Sequence, residues 1–173
     1  MKKGAADAVS PFMSNFFDLL ALPQAWEMDS EALQSSYLTQ QRLWHPDRFV
    51  GKPESQKAEA LQQSALINQA YQTLLDPLKR AEHLLHLNGV ETPKETVQDP
   101  ELLMEVMEYQ EVLMEEDPAV IQKLIDQLDA VLVKAQENFG IEIQEKSFEL
   151  ALKLHTKMSY LTKLKADAQN KIA

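Results

Sequence analysis

The positions of proline and glycine set the strongest limit on how this chain of 173 residues folds. Three Asp-Pro dipeptides each place a good helix N-cap before a proline at the first helical position. They are Asp76-Pro77, Asp99-Pro100 and Asp117-Pro118. The chain has only 4 glycines, too few for many sheet turns or for a phosphate-binding loop, and no segment alternates like a β-strand. The sequence therefore predicts an all-α protein.

Seven helices are predicted between these signals and the remaining breaks in the apolar pattern. They cover about 15–21, 30–44, 54–75, 77–87, 100–116, 118–138 and 144–170. Pro46 and the stretch at 51–53 separate the second helix from the third. Asn88-Gly89 is predicted to end the fourth helix, and Phe139-Gly140 the sixth.

A polar stretch near the middle divides the chain into two predicted domains. Residues 89–98 form a linker between four helices at 14–88 and a three-helix bundle at 99–173. Residues 1–13 contain two lysines but lack the apolar segment of a secretory signal, so we expect a flexible tail. The lack of a signal and of cysteine favours a cytoplasmic protein.

Composition excludes several classes of function. With 17 basic and 27 acidic residues the formal net charge is −10, which argues against a nucleic-acid partner. The absence of cysteine excludes disulfides, thiolate metal sites and a cysteine nucleophile. No apolar run reaches the roughly 18 residues of a membrane span, so no membrane partner is expected. No cofactor is expected either.

A His-Pro-Asp tripeptide lies between the second and third predicted helices. Pro46 ends the helix before it and fixes the turn, so His45 and Asp47 can both face outward. Taken alone, the tripeptide fits either a polar helix stop or a weak metal or acid–base site. Its place between two amphipathic helices, after Trp44 and before Arg48, favours a functional loop.

This arrangement resembles the J-domain of the DnaJ class. That fold has a short helix, an antiparallel helical pair joined by a His-Pro-Asp loop, and a small fourth helix, and residues 14–87 match this length and order. The resemblance implies that His45, Pro46 and Asp47 contact a DnaK-type chaperone and stimulate its ATPase. It also implies that they act by polar contact, so the chain itself is not expected to be an enzyme.

The second helix departs from the usual J-domain, in which it has a strongly basic face. Residues 30–44 contain a single basic residue, Arg42, and the next one, Arg48, follows the loop. We expect both arginines to contribute to chaperone binding. Long-range attraction to an acidic chaperone surface is then weak, which favours a dedicated chaperone over a general one.

A second stretch narrows the resemblance to the HscB-type co-chaperones of iron–sulfur cluster assembly. Residues 67–74 read INQAYQTL and residues 80–85 read RAEHLL, similar to the end of the J-domain in that family. The family also has an acidic three-helix bundle after the J-domain, and the absence of an N-terminal cysteine module is similar to its bacterial members. Five apolar residues in these stretches are predicted to be core: Ile67, Ala70, Tyr71, Leu74 and Leu84.

The helix predicted at 100–116 has two apolar stripes. One is a sufficient core face and consists of Leu102, Val106, Tyr109 and Leu113. The other lies about 100° away and consists of Leu103, Met107 and Met114, with Met104 and several glutamates beside it. Periodicity alone leaves open whether the second stripe packs inside the protein or binds a partner.

The resemblance favours a partner. In HscB-like proteins this helix binds the scaffold protein on which iron–sulfur clusters are assembled, through apolar residues and glutamates. The implied scaffold-binding residues are Leu103, Met104, Met107, Glu108, Glu111 and Glu115. On the last helix, Tyr160 points away from the core stripe and either joins this contact or packs against a neighbouring helix.

The resulting hypothesis is a co-chaperone that delivers an IscU-like scaffold to an HscA-like chaperone and stimulates its ATPase. Nine acidic residues and no basic one lie between Lys94 and Lys123, which predicts a basic partner surface and salt-sensitive binding. Two alternatives stay open: a J-domain protein with a different client, and a small metal-dependent enzyme using His45 and Asp47. The lack of further residues at metal-ligand spacing argues against the second.

Overall fold

The computed structural model describes residues 15–92 and 99–173. Within these ranges every regular element is a helix and no strand occurs, so the predicted all-α class is confirmed. The predicted tail at 1–13 lies outside the described residues, as does most of the predicted linker at 89–98. The chain forms two compact units, of which the first ends at Arg80 and the second begins at Ala81.

The first unit is built around a helical hairpin. Its elements are α1 (Phe16–Leu19), α2 (Ser30–Trp44), a 3₁₀-helix (Pro46–Phe49), α3 (Glu54–Leu75) and the start of α4 (Pro77–Leu87). α2 packs against α3, and α1 and the 3₁₀-helix also contact α3. Tyr37 contacts Tyr71, and Gln41, one turn later in α2, contacts Ser64, which comes earlier in α3. The two helices therefore run in opposite directions, and the hairpin is antiparallel, as predicted.

The core of this unit is apolar and continuous. Phe17, Leu20 and Leu33 are fully buried, and so are Ile67, Ala70 and Leu74 from α3. Tyr71, predicted to be core, is half-buried and stacks on Tyr37 with ring centroids 4.3 Å apart. Leu84, the last residue of the predicted set, belongs to the second unit and is 3% exposed.

The second unit is a helical bundle. It continues α4 and adds α5 (Pro100–Leu113), α6 (Pro118–Gln144) and α7 (Phe148–Ile172). α6 and α7 form its main helix pair, and α5 packs against both. The largest fully buried side chains come from the facing sides of α6 and α7: Phe139, Ile121, Leu124, Leu128, Met158 and Leu161.

The three Asp-Pro signals work as predicted. The carboxylate of Asp76 accepts a hydrogen bond from the Leu78 N–H at 2.9 Å. Asp99 and Asp117 likewise cap α5 and α6 from the position before the proline. Each carboxylate satisfies backbone donors that have no partner within the helix, and this fixes where the helix begins.

The predicted end of the sixth helix is wrong. α6 does not stop at 138 but continues through Gly140 to Gln144, because fully buried Phe139 holds this turn in the core. A glycine inside a helix costs only about 1 kcal/mol, which packing can offset. The helix stops after Gln144 because Lys146 takes a left-handed conformation, with a φ of 61°, and the Ser147 N–H donates to the Glu142 carbonyl at 2.9 Å.

Within 15–92 and 99–173, no helix combines the length and the apolar character needed to cross a membrane.

Candidate functional site

The His-Pro-Asp loop joins α2 to α3 at the end of the hairpin. His45 has extended backbone angles and its Nδ1 accepts a hydrogen bond from the Asp47 N–H at 3.3 Å. The same Nδ1 lies 3.6 Å from Asp47 Oδ2. The side chains of His45 and Asp47 are 54% and 86% exposed, so the pair is available to a partner. Its solvent access does not suit an internal acid–base dyad.

Two further contacts hold the loop in place. The Arg48 guanidinium donates through Nη1 to the Arg42 backbone carbonyl at 3.0 Å. The rings of Trp44 and Phe49 stack in nearly parallel planes with centroids 6.1 Å apart. Arg42 and Arg48, predicted to bind the chaperone, are both exposed beside the loop. The structure therefore brings the five predicted chaperone-binding residues together on one end of the hairpin.

Polar side chains form a hydrogen-bonded cluster between α2 and α3, which the sequence did not predict. The Tyr37 hydroxyl donates to Asn68 Oδ1 at 2.9 Å, and Gln41 Nε2 donates to the same oxygen at 2.6 Å. The Ser64 hydroxyl donates to Gln41 Oε1 at 3.4 Å. These bonds fix the register of the two helices that position the loop. The only sign of it in the sequence is the position of Asn68 directly after the core residue Ile67.

Arg80 fastens the beginning of α4. Its guanidinium lies 4.7 Å from the centre of the Trp26 ring, and Nη1 donates to the Leu74 carbonyl at 2.6 Å. Burial lowers the pKa of Arg80, and the nearby carboxylates of Glu27 and Asp76 partly oppose this. Arg80 is 9% exposed, so it serves the fold of the first unit.

We expect Arg80→Ala to lower the free energy of unfolding by about 2 kcal/mol, because it removes a buried charged hydrogen bond and a cation–π contact. Urea denaturation followed by circular dichroism measures the change. The control is Lys79→Ala, at the exposed neighbouring position, for which we expect a change within about 0.5 kcal/mol. Equal stabilities for the two variants would contradict this role.

α5 carries one buried stripe and one exposed stripe. Leu102 and Val106 are 7% and 6% exposed and face the bundle, with Tyr109 and Leu113 half-buried beside them. The second stripe, left open by periodicity, is on the surface: Leu103 is 37%, Met104 66%, Met107 66% and Met114 79% exposed. A flexible, polarizable Met-rich surface of this kind is suited to binding a partner.

The glutamates of α5 fall into two groups. Glu105 forms an ion pair with Lys157 on α7, at a distance of 2.6 Å between the carboxylate oxygen and Nζ. It also accepts a hydrogen bond from the Tyr109 hydroxyl at 3.3 Å. Burial and the Glu105 carboxylate raise the pKa of Tyr109. Glu108 and Glu111 are exposed on the same side of α5 as the methionines, and Glu115 is exposed just beyond the helix, which ends at Leu113 rather than at 116 as predicted. Five of the six predicted scaffold-binding residues therefore share one exposed surface of α5, and the sixth, Glu115, follows the end of the helix.

Tyr160 of α7 is half-buried. This degree of exposure is compatible with both interpretations, so its contact with the scaffold stays a prediction. At the other end of α5, Lys171 of α7 donates through Nζ to the Leu113 carbonyl at 2.6 Å. That bond and the Glu105–Lys157 pair hold α5 against α7, and they leave the opposite side of α5 open.

Two histidines are buried in the second unit. His83 and His155 are 8% and 9% exposed. Burial lowers the pKa of His83 to about 4, with a smaller contribution from His86. Burial also lowers the pKa of His155, partly opposed by Glu82. Over the described ranges, no group of three or more His, Asp or Glu side chains is arranged to hold a metal ion.

Because the pKa of His83 is lower in the folded state than the ordinary value of about 6.5, the unfolded chain binds the proton more tightly. Stability is therefore retained above pH 6.5 and lost as the pH falls toward 4. We expect protonation of His83 to lower the free energy of unfolding by about 3 kcal/mol by the time the pH reaches 4. Urea denaturation at a series of pH values measures the free energy of unfolding. We expect the His83→Gln variant to lose this part of the pH dependence. The control variant His45→Gln, at an exposed histidine, is expected to keep it. Identical pH profiles for wild type and His83→Gln would contradict the assignment.

Two protein-family models match separate parts of the chain. The family model described as "DnaJ domain" matches residues 15–83, and that described as "HSCB C-terminal oligomerisation domain" matches residues 98–169. A curated relative from Paraburkholderia xenovorans (strain LB400), named "Co-chaperone protein HscB homolog", is 42% identical over 123 residues, which are 70% of this chain and 69% of the relative. The chain belongs to the HscB family of co-chaperones. The resemblance inferred from the sequence is thereby confirmed.

Solved HscB structures have the same fold. The crystal structure of human co-chaperone HscB superimposes with a TM-score of 0.87 at 31% identity, covering 92% of this chain and 82% of the human one. Chaperone HscB from Vibrio cholerae gives a TM-score of 0.81 at 33% identity, covering 91% and 96%. The His-Pro-Asp loop lies within the DnaJ-domain match, and α5 lies within the HscB C-terminal match.

Proposed function

We propose that this HscB-family protein acts in iron–sulfur cluster assembly by bringing an IscU-like scaffold protein to a dedicated, HscA-like chaperone of the DnaK class and stimulating its ATPase. The observation that carries the proposal is the presence of two exposed surfaces on one chain. One is the His-Pro-Asp loop of the first unit, and the other is the Met-rich acidic surface of α5 in the second.

The chaperone side acts through the loop. His45 and Asp47 are exposed and held close together by the loop backbone, and Pro46 keeps the chain in the 3₁₀ turn. A partner that covers these side chains exchanges hydrogen bonds with an imidazole and a carboxylate. Arg42 and Arg48 add positive charge at the same end of the hairpin. Neither a nucleophile nor a bound cofactor is needed for this role.

The scaffold side acts through α5. Its exposed residues offer apolar area to an apolar patch and carboxylates to basic side chains on the scaffold. The residues proposed for this contact are Leu103, Met104, Met107, Glu108, Glu111 and Glu115, together with Tyr160 of α7. The working boundaries are a J-domain at 14–88 and a scaffold-binding bundle at 99–173.

Joining the two activities in one chain has a direct kinetic consequence. Once the chaperone holds the J-domain, the scaffold bound to the bundle is confined nearby, and its effective concentration at the chaperone rises. ATP hydrolysis then coincides with the presence of the scaffold.

The function is tested by affinity capture of the full chain from its native cell in the presence of ATP, with both partners identified by mass spectrometry. We expect a DnaK-type chaperone and the iron–sulfur scaffold, with the chaperone lost from the His45→Gln variant. Capture of the chaperone with a different client in place of the scaffold would favour the other J-protein hypothesis.

A further inference from the structure

Two exposed leucines lie on the outer face of α2, close to the His-Pro-Asp loop. Leu33 is fully buried, and Arg42, nine positions further on, lies about 180° from it around the helix. Arg42 therefore marks the direction facing away from the core. On either side of it, Leu38 and Leu43 are 45% and 50% exposed. We define the outer face of α2 as Ser35, Leu38, Thr39, Arg42 and Leu43.

Part of the hydrogen-bonding capacity of this face is used within the chain. The Thr39 hydroxyl donates to the Ser35 carbonyl at 2.9 Å, which satisfies its donor locally. The guanidinium of Arg48 binds the Arg42 carbonyl. What the face offers to a partner is the apolar surface of two leucines on either side of the Arg42 cation, with the exposed Ser35 beside them.

The charge around this face is balanced. α2 contains one acidic residue, Glu31, and one basic residue, Arg42. The 3₁₀-helix adds Asp47 and Arg48, whose charges also cancel. An acidic partner surface is therefore only weakly attracted to this face at long range. Carboxylates placed against the leucines would also lose their bound water, which opposes binding.

The outer face is continuous with the loop. Leu43 is two residues before His45, and Leu38 is seven residues before it, about 10 Å along the helix axis. A chaperone that covers the exposed His45 and Asp47 also reaches Leu43 and, with an interface of ordinary width, Leu38.

We propose that the DnaK-type chaperone docking on this loop covers Leu38 and Leu43 with an apolar, weakly charged surface, and that this contact selects it over chaperones whose corresponding surface is acidic. The inference rests on the proposed function and specifies the chemistry of its chaperone partner. Burying two half-exposed leucines gives a favourable contact that salt does not screen. Chaperone docking is then insensitive to salt, in contrast to scaffold binding by the acidic α5.

The test uses the full chain carrying both Leu38→Lys and Leu43→Lys. It measures stimulation of single-turnover ATP hydrolysis by each DnaK-type chaperone of the same cell, at about 0.05 M and about 0.5 M KCl. For the wild type we expect less than about a twofold change in half-maximal concentration between these salts. For the double variant we expect the concentration that gives half-maximal stimulation to be about tenfold higher at both KCl concentrations. The matched control is Val133→Lys on α6, also an exposed apolar position at 56%, which should behave as the wild type.

A second variant separates lost apolar contact from added charge. Leu38→Ala with Leu43→Ala introduces no charge and favours the helix, and we expect about fivefold weaker stimulation with unchanged helicity. Unchanged stimulation by both double variants, or wild-type stimulation that falls more than about tenfold with salt, would overturn the inference. The His45→Gln variant distinguishes failure of the docking inference from failure of the proposed function. If His45→Gln abolishes stimulation while the leucine variants do not weaken it, only the docking inference fails. If it has no effect, the proposed function fails.

Discussion

His45→Gln is expected to reduce stimulation of the chaperone ATPase at least about 30-fold without unfolding the protein, since removing one partner of a polar contact buried in an interface costs ~2 kcal/mol or more. The imidazole is 54% exposed in the free chain, so its loss leaves the core untouched. Its one bond within the loop, from the Asp47 N–H, can be replaced by the glutamine side-chain oxygen. Single-turnover ATP hydrolysis with a purified DnaK-type chaperone measures the effect.

The matched control for this variant is His86→Gln. His86 is half-buried, lies in the second unit and has Glu91 3.6 Å away, so it is another histidine with a carboxylate neighbour. We expect normal stimulation from it. Asp47→Asn, which removes the other exposed group of the loop, is expected to resemble His45→Gln. Full stimulation by a folded His45→Gln protein would mean that the loop is only a helix connection.

Met104→Ala combined with Met107→Ala is expected to weaken scaffold binding about 30-fold, or ~1 kcal/mol for each side chain that no longer buries its apolar surface in the complex. Both methionines are 66% exposed in the free chain, so their truncation leaves no cavity and the stability is expected to remain unchanged. Isothermal titration calorimetry with the purified iron–sulfur scaffold measures the affinity.

The control for the methionine pair is Val133→Ala with Ile141→Ala, two exposed apolar residues of α6. That pair is expected to bind the scaffold normally. Chaperone stimulation in the absence of scaffold is expected to be normal in both double variants, which separates the two activities. If the methionine pair leaves scaffold affinity unchanged, α5 serves another client and the cargo in the proposal is wrong.

The sequence predicted the helix starts well because their chemistry is local. Asp76, Asp99 and Asp117 each bond to backbone donors two or three residues away, so the signal is contained within one short segment. The end of α6 was predicted wrongly for the opposite reason. Packing of Phe139 in the core outweighs the weak helix propensity of Gly140, and packing depends on distant parts of the chain.

The candidate sites show the same limit. Periodicity separated the two stripes of α5, but it could not show that Met104 and Met107 have no helix packed over them, since that depends on how the bundle assembles. Likewise, the bond between Gln41 and Asn68 joins residues 27 positions apart. A single sequence carries no direct sign of such a pairing, although it sets the register of the hairpin.

The bond from Arg48 to the Arg42 carbonyl and the stacking of Trp44 on Phe49 have a consequence for turnover. A loop already held in one shape loses little conformational entropy when it docks, so productive binding does not require a high affinity. A contact of modest affinity dissociates quickly. We therefore expect one molecule to leave a chaperone soon after hydrolysis and engage the next, so that substoichiometric amounts sustain many chaperone cycles.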